Sequence, residues 1–181
     1  SVPWVGTPDS ETLSSAEPRF IPIAAEYFAT SLDVHLVNGQ IQDNPQDQNT
    51  ADHNAATRTA ALNRLARMVC CDRDEISDEA LEYMAQYVGD RQRAQIASAI
   101  ENRLQYLSHL TGTPPEAVQL LLSGSGDWLA DRVLAESFRN FQLSPIRLRS
   151  MFIRNVSEAA CAFAVARLAA ERCLADLLPL T

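Results

Sequence analysis

The chain has 181 residues, 46% of them hydrophobic and 21% charged, a composition that suits a packed core and excludes wholesale disorder. Its formal net charge of −8 disfavours nucleic acid or an anionic membrane surface as the main partner, since both select a concentrated basic face. All 15 basic residues are arginine, which removes a phosphate-loop lysine, a Schiff-base lysine and a lysine general base. Any anion held by this chain is therefore held by arginine, backbone amides or a metal. No charge-free apolar run reaches transmembrane length, and no signal peptide is visible. The four cysteines, Cys70, Cys71, Cys161 and Cys173, contain no C-x-x-C pair, so a zinc knuckle is disfavoured. They are expected to be buried, reduced thiols of a cytoplasmic protein.

The opening "SVPWVGTP" reads as a short strand running into a loop that lasts to residue 18, and "RFIPI" (19–23) as an edge strand. In "AAEYFATSLDVHLVNG" (24–39), Tyr27, Phe28, Leu32, Leu36 and Val37 follow a helical period that stops at Asn38-Gly39. The polar stretch 40–57 is a loop carrying Asp43, Asp47 and Asp52, longer than most connections. An amphipathic helix is expected over 57–71. A second, capped by Ser77, should run to Val88 and break at Gly89, and a third over 90–110 carries Ile96, Ile100, Leu104 and Leu107 on one stripe. Thr113-Pro114-Pro115-Glu116 suggests a capped turn, 118–122 an interior strand, and Asp127 to about Arg139 a helix. "IRLRSMFI" (146–153) is another strand candidate. Asn155 with Glu158 opens a last helix to about residue 178, whose small residues predict deep burial. The fold class is α/β with helix in excess.

Three groups of residues can carry chemistry. Ser123-Gly124-Ser125-Gly126, between a leucine run and a helix, is either a compact β-to-α turn or a place where bare amides hold phosphate. A dinucleotide fingerprint is not met, because Leu129 stands where its third glycine belongs. Asp33, set between apolar helix positions, either faces a cleft or pairs with an arginine. Arg58, Arg64 and Arg67, on the helix after the acidic loop, are solvated surface charge or an anion clamp. Asp33-x-His35 does not suit a helical metal face, and no metal is assigned to protein side chains.

"AAEYFATSLDVHLVNG", "TAD", "ALNRLARMVCCD", "RQRAQIASAI" and "LLLSGSGDWLADRVL" occur in an order and spacing that resembles the tetrahydromethanopterin-linked one-carbon-transfer pathway protein family. That family is similar to the hydantoinase/oxoprolinase group and to the sugar kinase/actin superfamily. The resemblance spans about residues 19–170, with "FATSLDVH" and "SGSGDWLA" its most specific parts. It implies the second lobe of a two-lobe, ribonuclease H-like fold, with 1–181 as one C-terminal lobe and the glycine-rich phosphate loop of an N-terminal lobe absent from this chain. It implies a methylofuran-synthesis transferase that joins an aminomethylfuran diphosphate to the phenol of γ-glutamyltyramine and releases pyrophosphate. Asp33 would then be the catalytic carboxylate, orienting Mg²⁺ or helping to deprotonate the phenol, and Ser123, Gly124, Ser125 and Gly126 the phosphate contacts, with Arg58 and Arg64 as candidate anion contacts. Mg²⁺ is the implied cofactor, with ATP as an alternative ligand. The competing readings are an ATP-dependent kinase or hydrolase lobe, and a non-catalytic lobe that binds a partner.

Overall fold

The computed structural model describes residues 1–4, 19–141 and 143–177. Most of the expected loop between the first two strands lies outside them. The chain divides into two compact units, residues 1–92 and 93–181.

In the first unit, β1 (Val2–Trp4) pairs antiparallel with β2 (Arg19–Ile21), Val2 facing Ile21 across the ladder. The next helix, α1, covers only Ser31–Val37. The apolar period at Tyr27 and Phe28 does not extend it upstream, because Thr30 takes an extended conformation and caps the helix. At the other end Gly39, at φ +65°, stops it where the Asn38-Gly39 pair predicts. Residues 40–57 form the expected loop, tied by a bridge between Asn44 and Ala56.

Thr57 caps α2 (Arg58–Met68) through a bond from the Ala60 amide. The following helix, α3 (Asp78–Thr111), begins after Ser77, whose hydroxyl accepts from the Ala80 amide. It runs unbroken through Gly89, against the expected interruption. A glycine inside a helix costs only about 1 kcal/mol, and the flanking apolar faces outweigh that. The core of this unit gathers Val34, Leu36 and Val37 of α1, Leu62 and Leu65 of α2, and Leu81 and Met84 of α3.

The second unit takes the rest of α3. Ile96, Ile100 and Leu104, on the expected stripe, pack with Val133, Leu134 and Phe138. A turn of 3-10 helix at Pro115–Ala117 follows, without a side-chain cap. The expected interior strand is reduced to β3 (Leu121–Leu122), which pairs in parallel with β4 (Ile146–Arg147). Leu121 and Ile146 are 59% and 40% exposed, so this two-stranded ladder is not interior.

Between them lies α4 (Asp127–Ser137). The strand expected over 146–153 turns into α5 (Leu148–Met151) after two residues, then α6 (Arg154–Glu158) and α7 (Ala160–Leu177). Asn155 lies inside α6 and does not cap it; the cap position is Ile153. The expected deep burial of the last helix is not found: residues 161–173 are exposed. Small side chains permit close approach but do not by themselves recruit a covering element. The four thiols are free, as expected, but they are not buried: Cys70, Cys161 and Cys173 are exposed and Cys71 is half-buried.

Candidate functional site

Asp33, the acid singled out by the sequence, is fully buried, and each of its oxygens has a task. Oδ2 accepts from the Thr30 amide at 2.8 Å, closing a capping box at the start of α1. Oδ1 accepts from Arg64 Nε at 2.7 Å. Arg64 Nη2 lies 2.7 Å from the same oxygen without the alignment of a hydrogen bond, so that contact is electrostatic. The pairing alternative for Asp33 thus describes its surroundings; within its unit it does not open onto solvent.

Arg64 is the largest fully buried side chain among the described residues, and a buried guanidinium is costly unless its charge is paired. The second partner comes from the polar loop: Arg64 Nη1 donates to Asp52 Oδ1 at 2.9 Å. Arg67, one helical turn on, adds a longer contact of 3.9 Å to Asp52 Oδ2. Burial pushes the Asp52 carboxyl up, but hydrogen bonds from the Asn54 side chain and amide, then the bond and charge of Arg64, outweigh it. They hold Asp52 at about 2, so it is ionised across the neutral range. The loop is further ordered by Thr50, buried, whose hydroxyl donates to the Asn54 carbonyl at 2.7 Å. Asp43 accepts from the Arg58 amide at 2.8 Å.

The structure therefore joins Asp33, Asp52 and Arg64 into one centre that ties α1, α2 and the polar loop together. The role of Asp52 was not singled out in the sequence. The signal for Asp33 was present as Thr30-x-x-Asp33, a helix-start pattern. Arg58, the other candidate anion contact, is ion-paired with Glu82.

The glycine turn belongs to the second unit. Gly124, at φ +98°, takes a backbone conformation that side chains disfavour, and its amide donates to the Ser157 carbonyl at 3.0 Å. Ser123, Ser125 and Gly126 are exposed. Gly126 caps α4, and the buried carboxylate of Asp127, first residue of that helix, is ion-paired with the half-exposed Arg149. Beside it Arg147 reaches Asp131 through Nε at 2.9 Å and Nη2 at 2.6 Å. The start of α4 thus already holds a carboxylate with a guanidinium on it.

Mg²⁺ takes about six oxygens in octahedral geometry, several of them water. The oxygens of Asp33 and Asp52 are engaged as described, and among the described residues no group of three His, Cys, Asp or Glu could hold a metal ion. These side chains do not fit a Mg²⁺ site on their own. No helix among the described residues is long and apolar enough to cross a membrane.

No family model matches the chain. Over 144 residues it is 24% identical to the (4-{4-[2-(gamma-L-glutamylamino)ethyl]phenoxymethyl}furan-2-yl)methanamine synthase of Methanococcus vannielii. The match covers 79% of this chain and 61% of that protein, so the chain spans less than two thirds of the length of the relative to which it is similar.

Proposed function

We propose that this chain is part of an enzyme that builds the furan ether of the methylofuran type, acting in the synthesis of a one-carbon carrier. The observation that carries this reading is the 24% identity to a synthase over 79% of the chain. The name of that relative describes a phenol oxygen joined to a furan through one methylene. Making that ether by substitution requires a furfuryl carbon bearing a good leaving group. In the proposed reaction the phenol of a γ-glutamyltyramine gives up its proton to solvent and its oxygen attacks the furfuryl carbon. The bond from that carbon to a diphosphate breaks, and pyrophosphate leaves with the electron pair.

In this reading the exposed turn Ser123–Gly126 meets the diphosphate, through its hydroxyls and the amides that remain after Gly124 is bonded to Ser157. Its open surroundings support this, since a Cβ on Gly124 or Gly126 would meet nothing within 4 Å. Asp33 acts through architecture: with both oxygens engaged, its part is to hold α1 against α2, and the phenol proton is not routed through it. Charge on the leaving group is the main thing to be stabilised, and in a lysine-free chain amide donors and arginine are the groups suited to it.

The test is to supply the full gene product with an aminomethylfuran diphosphate and γ-glutamyltyramine, following the ether by mass spectrometry and pyrophosphate by a coupled assay. Equimolar ether and pyrophosphate are expected. ATP hydrolysis with no ether formed would replace the reading by a kinase or hydrolase.

A further inference from the structure

The end of α1 carries a reactive pair that the proposed chemistry does not use. Asn38-Gly39 is the single Asn-Gly step of the sequence, and asparagine is among the residues that decay chemically in solution. The decay is easiest before glycine, since no Cβ shields the following amide nitrogen. The structure pins the atoms that this reaction must move. Asn38 Nδ2 donates to the Ala85 carbonyl of α3 at 3.0 Å, and the Gly39 amide donates to Leu36 O at 3.1 Å. The Asn38 backbone lies at φ −75°, ψ 1°. At that ψ the Gly39 nitrogen eclipses the Asn38 amide nitrogen, so it stands about 120° around the Cα–C bond from Cβ, the tetrahedral spacing at Cα. Closing a five-membered imide needs the Gly39 nitrogen and the Asn38 Cβ nearly eclipsed instead. The docked helix end therefore cannot close the ring.

We propose that Asn38 is a deamidation site gated by the opening of the α1 end from α3, and that its conversion releases that contact for good. Once the bonds to Ala85 and Leu36 break and the Asn38 peptide turns, the Gly39 nitrogen loses its proton to solvent base and bonds to Asn38 Cγ. The Cγ–Nδ2 bond breaks, and the nitrogen takes a proton from solvent and leaves as ammonia. Water then opens the cyclic imide at either carbonyl, and the new carboxyl gives its proton to solvent. The product is aspartate or, where the chain continues through the side chain, isoaspartate. No electron is transferred.

Neither product restores the contact. An ionised carboxylate only accepts, so the donor to Ala85 O is replaced by an oxygen that repels that carbonyl. Ala85 is fully buried, and Leu36 and Val37, just before Asn38, belong to the same core, so the change loosens packed side chains rather than a free loop. Isoaspartate also adds a carbon to the backbone at the helix end, directly before Gly39 at φ +65°.

The experiment incubates the native chain in warm, mildly alkaline buffer beside a free peptide of residues 34–43, and locates the amide-to-acid conversion by peptide mass spectrometry. Asn38 in the native chain should convert at least about tenfold more slowly than in the peptide, the protection of a locally closed site. Denaturing urea should bring the two rates together. Asn38→Asp, the product installed directly, should unfold at lower urea than the parent; should that variant fail to fold, the ratio of native to peptide rate remains the deciding measurement. Coincident native and peptide rates, protection that persists in denaturing urea, or an Asn38→Asp variant with the parent's urea midpoint would each overturn the proposal.

Discussion

Removing the Arg64 guanidinium is the sharpest test of the buried centre. In Arg64→Met the carboxylate of Asp33 stays fully buried and retains the Thr30 amide, while its ionic partners at 2.7 Å disappear. Asp52 loses its 2.9 Å partner in the same step. Taking one member from a buried ion pair costs about 3–5 kcal/mol, because the remaining charge has neither water nor partner. Against a total stability of about 5–15 kcal/mol, that is a large fraction. The double variant Asp33→Leu/Arg64→Met removes both charges and should cost at least about 2 kcal/mol less than the sum of the single changes, since apolar replacement of a whole pair is often near neutral. Urea unfolding followed by far-ultraviolet circular dichroism, with all variants fitted at a common slope, measures these differences. An Arg64→Met variant within about 1 kcal/mol of the parent, or strictly additive single changes, would refute the assignment of Arg64 as the tie between α1, α2 and the polar loop.

The depressed Asp52 carboxyl makes a pH prediction. Its folded value of about 2 lies below the ordinary 3.8, so its contribution is fully present above pH 4 and is lost as pH falls toward 2. Acid unfolding of Asp52→Asn should show a shallower dependence over that window, and an unchanged acid limb would contradict it. Cys70→Gly should stabilise the chain by about 0.5–1 kcal/mol in thermal or urea unfolding, because glycine relieves the left-handed backbone at the end of α2; a loss of stability would contradict this. Gly124→Ala should destabilise by about 1–2 kcal/mol for conformational reasons alone, there being nothing within 4 Å for the new Cβ to strike. Calorimetry showing no change would disprove the strained turn.

The sequence made the periodic parts of this fold readable and the context-dependent parts not. The α2 pattern, the Ser77 start and the Ile96, Ile100, Leu104 stripe rest on spacing, and they occur as expected. The start of α1 is a contest between two local signals, apolar periodicity through Tyr27 and Phe28 and the Thr30-x-x-Asp33 box, and the box decides it. Residues 148–151 alternate like a strand yet form helix, because strand identity depends on a partner, and β4 finds only two residues of β3 to pair with. Burial of α7 could not be read from its alanines, since residue size limits how closely a neighbour approaches without supplying the neighbour. At the candidate site Asp33 was visible as an acid out of place among apolar residues. Its link to Asp52 was not, because Arg64 joins two acids that precede it by 31 and 12 positions.

The two oxygens of Asp33 serve different ranges of the chain. One closes a contact three residues back, and the other reaches a helix 31 residues on. A helix of seven residues is too short to persist alone in water. The carboxylate that starts α1 is therefore only affordable in the interior once Arg64 has arrived with α2. Local winding and distant docking become one event, and the two helices should open as one cooperative unit. Native-state hydrogen exchange ought then to show amides of α1 and α2 sharing a single opening free energy, with α1 giving up its protection to the rhythm of a residue 31 positions away in sequence.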